Sequence, residues 1–214
     1  MALQAPDAAL GPVPDTPFEI RLSQCDGGID WSALFGNDRP VEIEIGCGKG
    51  SFIIKSAREH TDSNYFGIEK SGKYFRIIAR RITSAGLTNI RLVKGEAAHI
   101  IKNYCRPASV SACYIFFPDP WPKKRHHKRR LITVSFLKDI HRLLIPGGRI
   151  HIATDFTEYF SWITAAAEQC AELKELSRVT IDPSDADAER ALTNYERKYL
   201  LQGRSIHKAV YEAL

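Results

Sequence analysis

The distribution of apolar residues becomes regular at Val41. The segments VEIEI, NYFGIE, IRLVK, SVSACYIFF and RIHIATD are short, apolar and rich in β-branched residues, and predict strands at 41–45, 64–69, 90–94, 109–117 and 149–155. Between them apolar residues recur at helical spacing, as Phe75, Ile78 and Ile82 do. Strands that alternate with helices predict a parallel sheet with helices on both faces, because parallel neighbours need crossover connections.

Further elements complete this prediction. The turn GCGKG at 46–50 leads into a helix, SFIIKSARE, at 51–59. A later helix is expected from about Leu131 to Leu144, where Pro146-Gly147-Gly148 stops it. The last third of the chain predicts a strand at 173–180, an acidic loop at 182–189, a helix at 192–201 and a closing strand at 205–212. The sheet therefore has seven predicted strands.

The first forty residues lack this regularity. Residues 1–17 carry four prolines and little bulky apolar content, which predicts a loose arm. The segment from Phe18 to Pro40 has aromatic and aliphatic residues without a clean period, so we expect it to cover the main fold. We therefore divide the chain into an arm and covering segment, 1–39, and one domain, 40–214.

Composition indicates the cellular compartment in which the protein is expected. With 214 residues and 44% hydrophobic composition the chain can bury one sizeable core. Its five cysteines are scattered without a C-x-x-C pair, which is typical of free cysteines in a reducing compartment. We expect a cytoplasmic protein that does not enter membranes, because no apolar run approaches about twenty residues and the start lacks a secretion signature.

Acidic residues lie where the predicted strands end, and open α/β sheets bind ligands at this edge. They are Glu44, Glu69, Glu96, Asp119 and Asp155. The turn Gly46-x-Gly48-x-Gly50 suggests a nucleotide, yet the last glycine of a dinucleotide turn is replaced by Ser51. Glu44 would also repel a pyrophosphate. A ligand with a cationic amino acid end, a ribose and an adenine, namely S-adenosylmethionine, fits these acids better.

Simpler interpretations of these residues stay open. The glycines alone are compatible with a plain tight turn, and Glu96 with an acid that interacts with a helix macrodipole. Asp155 is equally compatible with the N-cap of the following helix.

The stretch FFPDPWPKKRHHKRR, from Phe116 to Arg130, has the most unusual composition. Its three prolines predict a stiff, extended loop that holds Asp119 and Trp121. All eight positions from Lys123 to Arg130 are basic or histidine, so the loop can neutralise several phosphates of a nucleic acid. A solvated basic face that opens a helix is the alternative, although basic residues there oppose the macrodipole. Trp121 can stack on a base or fill the core beneath the loop.

Together these motifs resemble the bacterial tRNA (guanine-N7-)-methyltransferases. The resemblance rests on EIGCGKG, GIEKS, the stretch Phe116 to Arg130, ATDFTEYF and TNYERKY, and covers the chain from about Val41 onward. It implies a Rossmann-like class I methyltransferase fold. It also implies methyl transfer from S-adenosylmethionine to N7 of a guanosine in the tRNA variable loop.

The resemblance implies a role for each matching residue. Glu44, Glu69, Glu96 and the three glycines of the turn would contact the cofactor, and Asp119 would border it and act in catalysis. Contacts to RNA would come from Lys123, Asp155, Thr193, Asn194, Tyr195 and Glu196. The charge of Arg125 in the basic loop makes it a further candidate for a phosphate contact. The sequence departs from the family at Glu96, where many relatives have aspartate, and at Phe156, where tryptophan is frequent. We expect no metal, and either a monomer or a homodimer.

Rival functions share part of this pattern. A nicotinamide-dependent dehydrogenase has the same fold type but gives no reason for Glu44 or the basic loop. A non-catalytic RNA-binding module explains the basic loop but not the row of acids. A methyltransferase that acts on proteins or small molecules is a third alternative.

Overall fold

A mixed sheet, in which the described residues form eight strands, lies at the centre of the structure. The structure is a computed structural model that describes residues 19–22, 25, 27–184 and 194–214, with the side chains of residues 194 and 195 excepted. The strands are β1 (Glu19–Ile20), β2 (Val41–Ile45), β3 (Asn64–Glu69), β4 (Ile90–Lys94), β5 (Val110–Phe116), β6 (Leu144–Thr154), β7 (Leu173–Ile181) and β8 (Ile206–Ala213). The helices are α1 (Trp31–Phe35), α2 (Ser51–Glu59), α3 (Gly72–Ala85), α4 (Ala97–Tyr104), α5 (Val134–Leu143), α6 (Thr157–Ala167) and α7 (Asn194–Leu201), with a 3-10 helix at Lys124–Arg129.

The strand order, β1-β4-β3-β2-β5-β6-β8-β7, confirms the predicted mostly parallel sheet. Pairing is antiparallel where β8 meets β6 and β7, and parallel elsewhere. All seven predicted strands are present. The additional strand is β1, in which Glu19 pairs with Leu92 of β4. Part of the segment expected to cover the fold therefore extends the sheet instead.

Helices pack on both faces of the sheet, as predicted, because successive strand residues point to opposite faces. Tyr65 of β3 packs with α2 and α3 in one apolar cluster. Its neighbour Phe66 packs in the larger cluster, with α1, α4, α5 and α6. None of the described helices is both long and apolar enough to cross a membrane. All five cysteines are free, and four of them are buried.

The expected stop signal after α5 lies inside a strand. The helix ends at Leu143, and β6 begins at the next residue, so Pro146-Gly147-Gly148 belongs to β6. Pairing with β5 shifts there, from Val110 opposite Leu144 to Ala112 opposite Arg149. The intervening residues form an irregularity in the ladder, which accommodates a proline without an N–H and a glycine at φ 76°.

The segment before β2 contributes to the core. Asp30 caps α1 by accepting from the Ala33 N–H at 3.0 Å, and the indole N–H of Trp31 donates to Ser109 Oγ at 3.0 Å. The Trp31 ring lies edge-on to Phe66, 5.0 Å between centroids. Residues 1–17, the predicted arm, lie outside the described residues, and the domain boundary at residue 40 stays a prediction.

Arg130 fastens the loop that follows β5 and does not face solvent. Its side chain is fully buried, donates from Nε to the Pro120 carbonyl at 2.9 Å, and forms two bonds to Glu158, at 3.0 and 2.5 Å. The guanidinium lies over the rings of Tyr159 and Trp162, 4.9 and 5.1 Å from their centroids. Arg130 was expected among the phosphate-neutralising cations, and this expectation is wrong because the side chain cannot reach RNA.

We predict that Arg130→Ala lowers the free energy of unfolding by about 3 kcal/mol, because the loop loses a charged donor and a packed side chain. Lys128→Ala, at an exposed position in the same segment, should stay within about 0.5 kcal/mol of the parent protein. Urea unfolding monitored by tryptophan fluorescence measures both. Equal stabilities of the two variants would refute this role of Arg130.

Candidate active site

The glycine turn between β2 and α2 opens a cleft at the carboxyl edge of the sheet. Gly46, Gly48 and Gly50 all have positive φ, of 79°, 54° and 72°. A Cβ at Gly50 would lie 2.4 Å from Ile78 of α3, so this glycine allows two helices to approach. A Cβ at Gly46 would meet no atom within 4 Å, because it would project into the open cleft. Gly50 therefore allows close packing of α3 against the turn, and Gly46 leaves the cleft open to a ligand.

Glu44 is a buried carboxylate in the wall of this cleft. Its side chain accepts from the Ile53 N–H at 3.2 Å, at the start of α2. Burial, followed by the repulsion of Glu69, raises the pKa of Glu44 to about 8. The cleft wall also includes Gly46, Cys47, Ser51, Phe52, Phe116 and Phe117. A cation in the cleft would relieve the cost of ionising Glu44.

Glu69, the last residue of β3, is held rigidly. One carboxylate oxygen accepts from the Gly48 N–H at 2.8 Å and the other from the Ser71 N–H at 2.7 Å. The glycine turn of β2 and the end of β3 are therefore tied together. A carboxylate offers about four lone-pair positions, so further donors can still bind.

Glu96 lies beside this edge, at the N-cap of α4, but its side chain makes no capping bond. The Gly95 N–H donates to the Glu69 carbonyl at 3.1 Å, which brings Glu96 next to the end of β3. Its carboxylate forms an ion pair with Lys70, and both side chains are mostly exposed. Lys70 belongs to the GIEKS motif, but no local pattern predicts its pairing with Glu96.

The loop after β5 has strained backbone. Phe117 and Trp121 adopt positive φ values of 51° and 44°, which cost non-glycine residues about 1–3 kcal/mol each. Asp119, between them, is exposed and forms no hydrogen bond or ion pair within the described part of the chain. It lies outside the set of residues that line the cleft. Its carboxylate is therefore available to a ligand that approaches from solvent.

Trp121 packs against the basic segment. The Arg129 guanidinium lies 4.9 Å from the Trp121 ring centroid, and the His126 ring lies edge-on at 5.8 Å. Trp121 is half-buried and belongs to neither of the two apolar clusters. The expectation that it fills the core is therefore not met.

The basic segment forms its own 3-10 helix, Lys124–Arg129, after the proline-rich part of the loop. It exposes Lys123, Lys124, Arg125, Lys128 and Arg129. The following helix, α5, begins only at Val134, where Thr133 Oγ1 accepts from the Phe136 N–H at 3.2 Å. The idea of a basic face that opens α5 is wrong because these residues end before its N-cap.

Asp155, after β6, is paired with a residue that the sequence did not single out. Arg204 donates to its carboxylate at 2.6 Å and lies 5.2 Å from the Tyr199 ring centroid. The N-cap of α6 is Phe156, so the N-cap interpretation of Asp155 is wrong. The Tyr199 ring in turn packs against Phe117, 5.1 Å between centroids. This chain of contacts joins α7 to the loop after β5.

Glu196, in α7, lines a second cavity. It is buried and forms an ion pair with Lys208 of β8 at 2.5 Å. This cavity of about 460 Å³ shares Phe52 and Phe116 with the cleft, so the two spaces are neighbours. Thr193 lies outside the described residues, as do the side chains of Asn194 and Tyr195.

Comparisons of the whole chain agree with the motifs. A family model described as a putative methyltransferase matches residues 38–209. The tRNA (guanine-N(7)-)-methyltransferase of Syntrophotalea carbinolica is 35% identical over 192 residues, 90% of this chain and 82% of that protein. The protein of the same name from Streptococcus suis is 36% identical over 186 residues, 86% of this chain and 85% of its own length.

Comparison with solved structures identifies the type of fold. The 16S rRNA methyltransferase KamB superposes with a TM-score of 0.64 at 13% identity, covering 86% of this chain and 92% of that chain. An antibiotic-related methyltransferase superposes with a TM-score of 0.63 at 16% identity, covering 85% of this chain and 92% of that chain. Both share the class I methyltransferase architecture. The family model and the similarity along most of the chain show that this protein belongs to the tRNA (guanine-N7-)-methyltransferase family.

Proposed function

We propose that the protein transfers the methyl group of S-adenosylmethionine to N7 of a guanosine in the tRNA variable loop. One observation carries the proposal: a cleft with buried Glu44 and fixed Glu69 opens at the same sheet edge as the loop with exposed Asp119 and the basic 3-10 helix. The cleft suits a cationic cofactor, and the basic helix suits a polyanion. Both partners are thus brought to one edge.

The cleft fits S-adenosylmethionine by its chemistry. Glu44, whose pKa is raised by burial, gains from a cationic neighbour, and the amino acid end of the cofactor supplies one. Glu69 retains acceptor capacity for the two ribose hydroxyls, as the equivalent acid does in dinucleotide folds. Glu96 would accept from the adenine amine once Lys70 moves aside. Gly46 would leave room for the ligand beside the turn, while Gly48 holds the Glu69 carboxylate and Gly50 allows α2 and α3 to pack closely, so both would support the ligand site. When bound, the cofactor supplies an electrophilic methyl group.

The protein's own contribution is alignment and electrostatics. Guanine N7 has a free lone pair at neutral pH, so no residue has to remove a proton before attack. Orientation of the reacting groups can supply several kcal/mol, roughly 7–11 at the upper limit. Positive charge moves onto the guanine ring during transfer, and the Asp119 carboxylate would stabilise it there while accepting from the ring N–H donors.

The RNA contacts follow the exposed charges. Lys123 and Arg125 would bind phosphates, because both are exposed in or next to the 3-10 helix. Asp155 and Glu196 already pair with Arg204 and Lys208, so we propose that each meets RNA as part of a carboxylate–cation pair. Thr193, Asn194 and Tyr195 remain candidate contacts on the basis of the motif alone.

The rival functions fit less well. A dinucleotide would bring its pyrophosphate to the turn, where it would meet the Glu69 carboxylate and offer no compensating charge to buried Glu44. A non-catalytic RNA-binding function does not explain why the acid Glu44 is buried in the cleft.

Incubation with tRNA and methyl-labelled S-adenosylmethionine tests the proposal, with the modified nucleoside identified by digestion and mass spectrometry. We expect one 7-methylguanosine per tRNA, in the variable loop. Label on another base, or tight binding of a nicotinamide cofactor without methyl transfer, would refute the proposal.

Asp119→Asn should lower kcat by about 10²–10³, because a charged group that meets the developing positive charge is lost. The affinities for tRNA and cofactor should change little, because Asn keeps an acceptor oxygen and Asp119 forms no hydrogen bond or ion pair within the described part of the chain. Glu172→Gln removes an exposed acid just before β7, which lines neither the cleft nor the second cavity, and serves as the control. Single-turnover rates with saturating substrates give the comparison. An unchanged rate for Asp119→Asn would remove this residue from the mechanism.

The affinity for S-adenosylmethionine should rise with pH below about 8, because the cationic ligand prefers ionised Glu44 and this group is largely protonated at lower pH in the free protein. Binding then releases a proton, and the affinity rises by up to about tenfold per pH unit. Calorimetry in buffers of different ionisation enthalpy measures the release. In the Glu44→Gln variant, both the proton release and the rise of affinity with pH should disappear. If they persist, another group is responsible for them.

A further inference from the structure

The exposed side of α3 carries cations that the site described above does not use. The helix reads GKYFRIIARRITSA and contains no acid. Lys73, Arg80 and Arg81 are exposed, and Arg76 is half-buried between them. Lys73 and Arg80 are seven residues apart, so they lie almost in line two turns apart. We call Lys73, Arg76, Arg80 and Arg81 the α3 stripe.

The α3 stripe is unfavourable for the helix itself. Lys73 and Arg76 lie near the N-terminus, where the macrodipole disfavours cations, and no acid occupies the first turn. Arg76 and Arg80 are like charges at i,i+4, which destabilise a helix. Arg76, Arg80 and Arg81 form no ion pair with any carboxylate of the described residues. A helix under selection for stability alone would contain some acids here.

An aromatic side chain interrupts the α3 stripe at its first turn. Tyr74 is 38% exposed, beside Lys73, and is among the largest exposed apolar side chains of the described chain. Cations interleaved with an exposed ring are typical of surfaces that bind nucleic acids, because the ring stacks on a base or sugar while the cations meet phosphates.

The α3 stripe lies beside the cofactor cleft, on the side away from the basic 3-10 helix. The first turn of α3 follows Glu69 at the end of β3, and Arg81 donates to the Lys49 carbonyl in the glycine turn. The 3-10 helix follows β5 instead. Since β3 and β5 flank β2, their ends are separated by about 10 Å. The two basic surfaces therefore border the same cleft from opposite sides.

We infer that the α3 stripe is a second RNA-binding surface, which holds phosphates of the same tRNA outside the arm that carries the methylated guanine. The inference rests on the proposed function. The 3-10 helix would bind the backbone next to the target base, and the α3 stripe would bind a part of the folded tRNA that a short hairpin lacks. Each cation that meets a phosphate releases a counterion, so the number of contacts can be read from the salt dependence of binding.

The test compares a double charge reversal in the α3 stripe with a matched one elsewhere. Lys73→Glu with Arg80→Glu changes two exposed residues that we place outside the cofactor contacts. Lys102→Glu with Lys138→Glu makes the same charge change at exposed positions of α4 and α5, on the other face of the sheet. Binding is measured with whole tRNA and with a hairpin of the target arm, over a range of salt concentrations.

We expect the α3 stripe variant to bind whole tRNA about tenfold more weakly at low salt, with the slope of log K against log salt smaller by about 1.5. Binding of the hairpin and of S-adenosylmethionine should match the parent protein, and the Lys102/Lys138 control should differ from it by less than about twofold. In contrast, Lys123→Glu with Arg125→Glu should weaken binding of both RNAs.

Several outcomes would overturn the inference. One is equal loss of tRNA affinity in the α3 stripe variant and the Lys102/Lys138 control. Another is an equal loss of affinity for whole tRNA and for the hairpin in the α3 stripe variant. Lys73→Gln with Arg80→Gln, which avoids new acids in α3, removes the same two contacts and should give a similar change in slope with a smaller loss of affinity, and no change in slope would refute the contact. Absence of methyl transfer by the parent protein would refute the proposed function, while the salt slopes with tRNA would still test the α3 stripe.

Discussion

The parallel pairing of β2 with both β3 and β5 is the constraint on which the site depends. Ile45, at the end of β2, pairs with Ile68 of β3 on one side and with Ile115 of β5 on the other. Three strands therefore end side by side, and the chain leaving each must turn at the same edge. This register brings the glycine turn, the Glu69 carboxylate and the loop with Asp119 together, although they lie far apart in the sequence.

Electrostatic arrangement distinguishes the cleft from an ordinary sheet edge. Glu44 is buried near a second acid, and its pKa is raised to about 8, so the ionised form of Glu44 is unfavourable beside Glu69. Glu69 is fixed by two backbone N–H groups, so it cannot turn away from its neighbour. Such a site is organised in advance to receive a cation. In the proposed function the cationic end of S-adenosylmethionine would lie beside Glu44, whereas a pyrophosphate would bring no positive charge to it.

The two ends of the loop after β5 are held differently. At one end Phe117 adopts a strained backbone and packs against Tyr199 of α7. At the other, buried Arg130 holds the Pro120 carbonyl and Glu158. Between these anchors Asp119 and the 3-10 helix remain exposed. The loop thus combines a rigid base with an accessible charged surface, which is what a polyanionic substrate requires.

The sequence by itself determined the sheet, its helices and most of the candidate site. Strand and helix patterns are local, so the sequence shows where each strand ends. The glycines and acids at these ends, including Glu44, Glu69 and Asp119, are therefore candidate site residues from the sequence alone. Only the tertiary structure decided which charges face solvent. Arg130 resembles its basic neighbours in the sequence, and only its burial against Tyr159 and Trp162 distinguishes it. The partner of Asp155 is Arg204, which the turn between α7 and β8 places beside it. The β1 strand and the insertion of Pro146 to Gly148 into β6 likewise depend on pairing between distant segments, which local patterns do not encode.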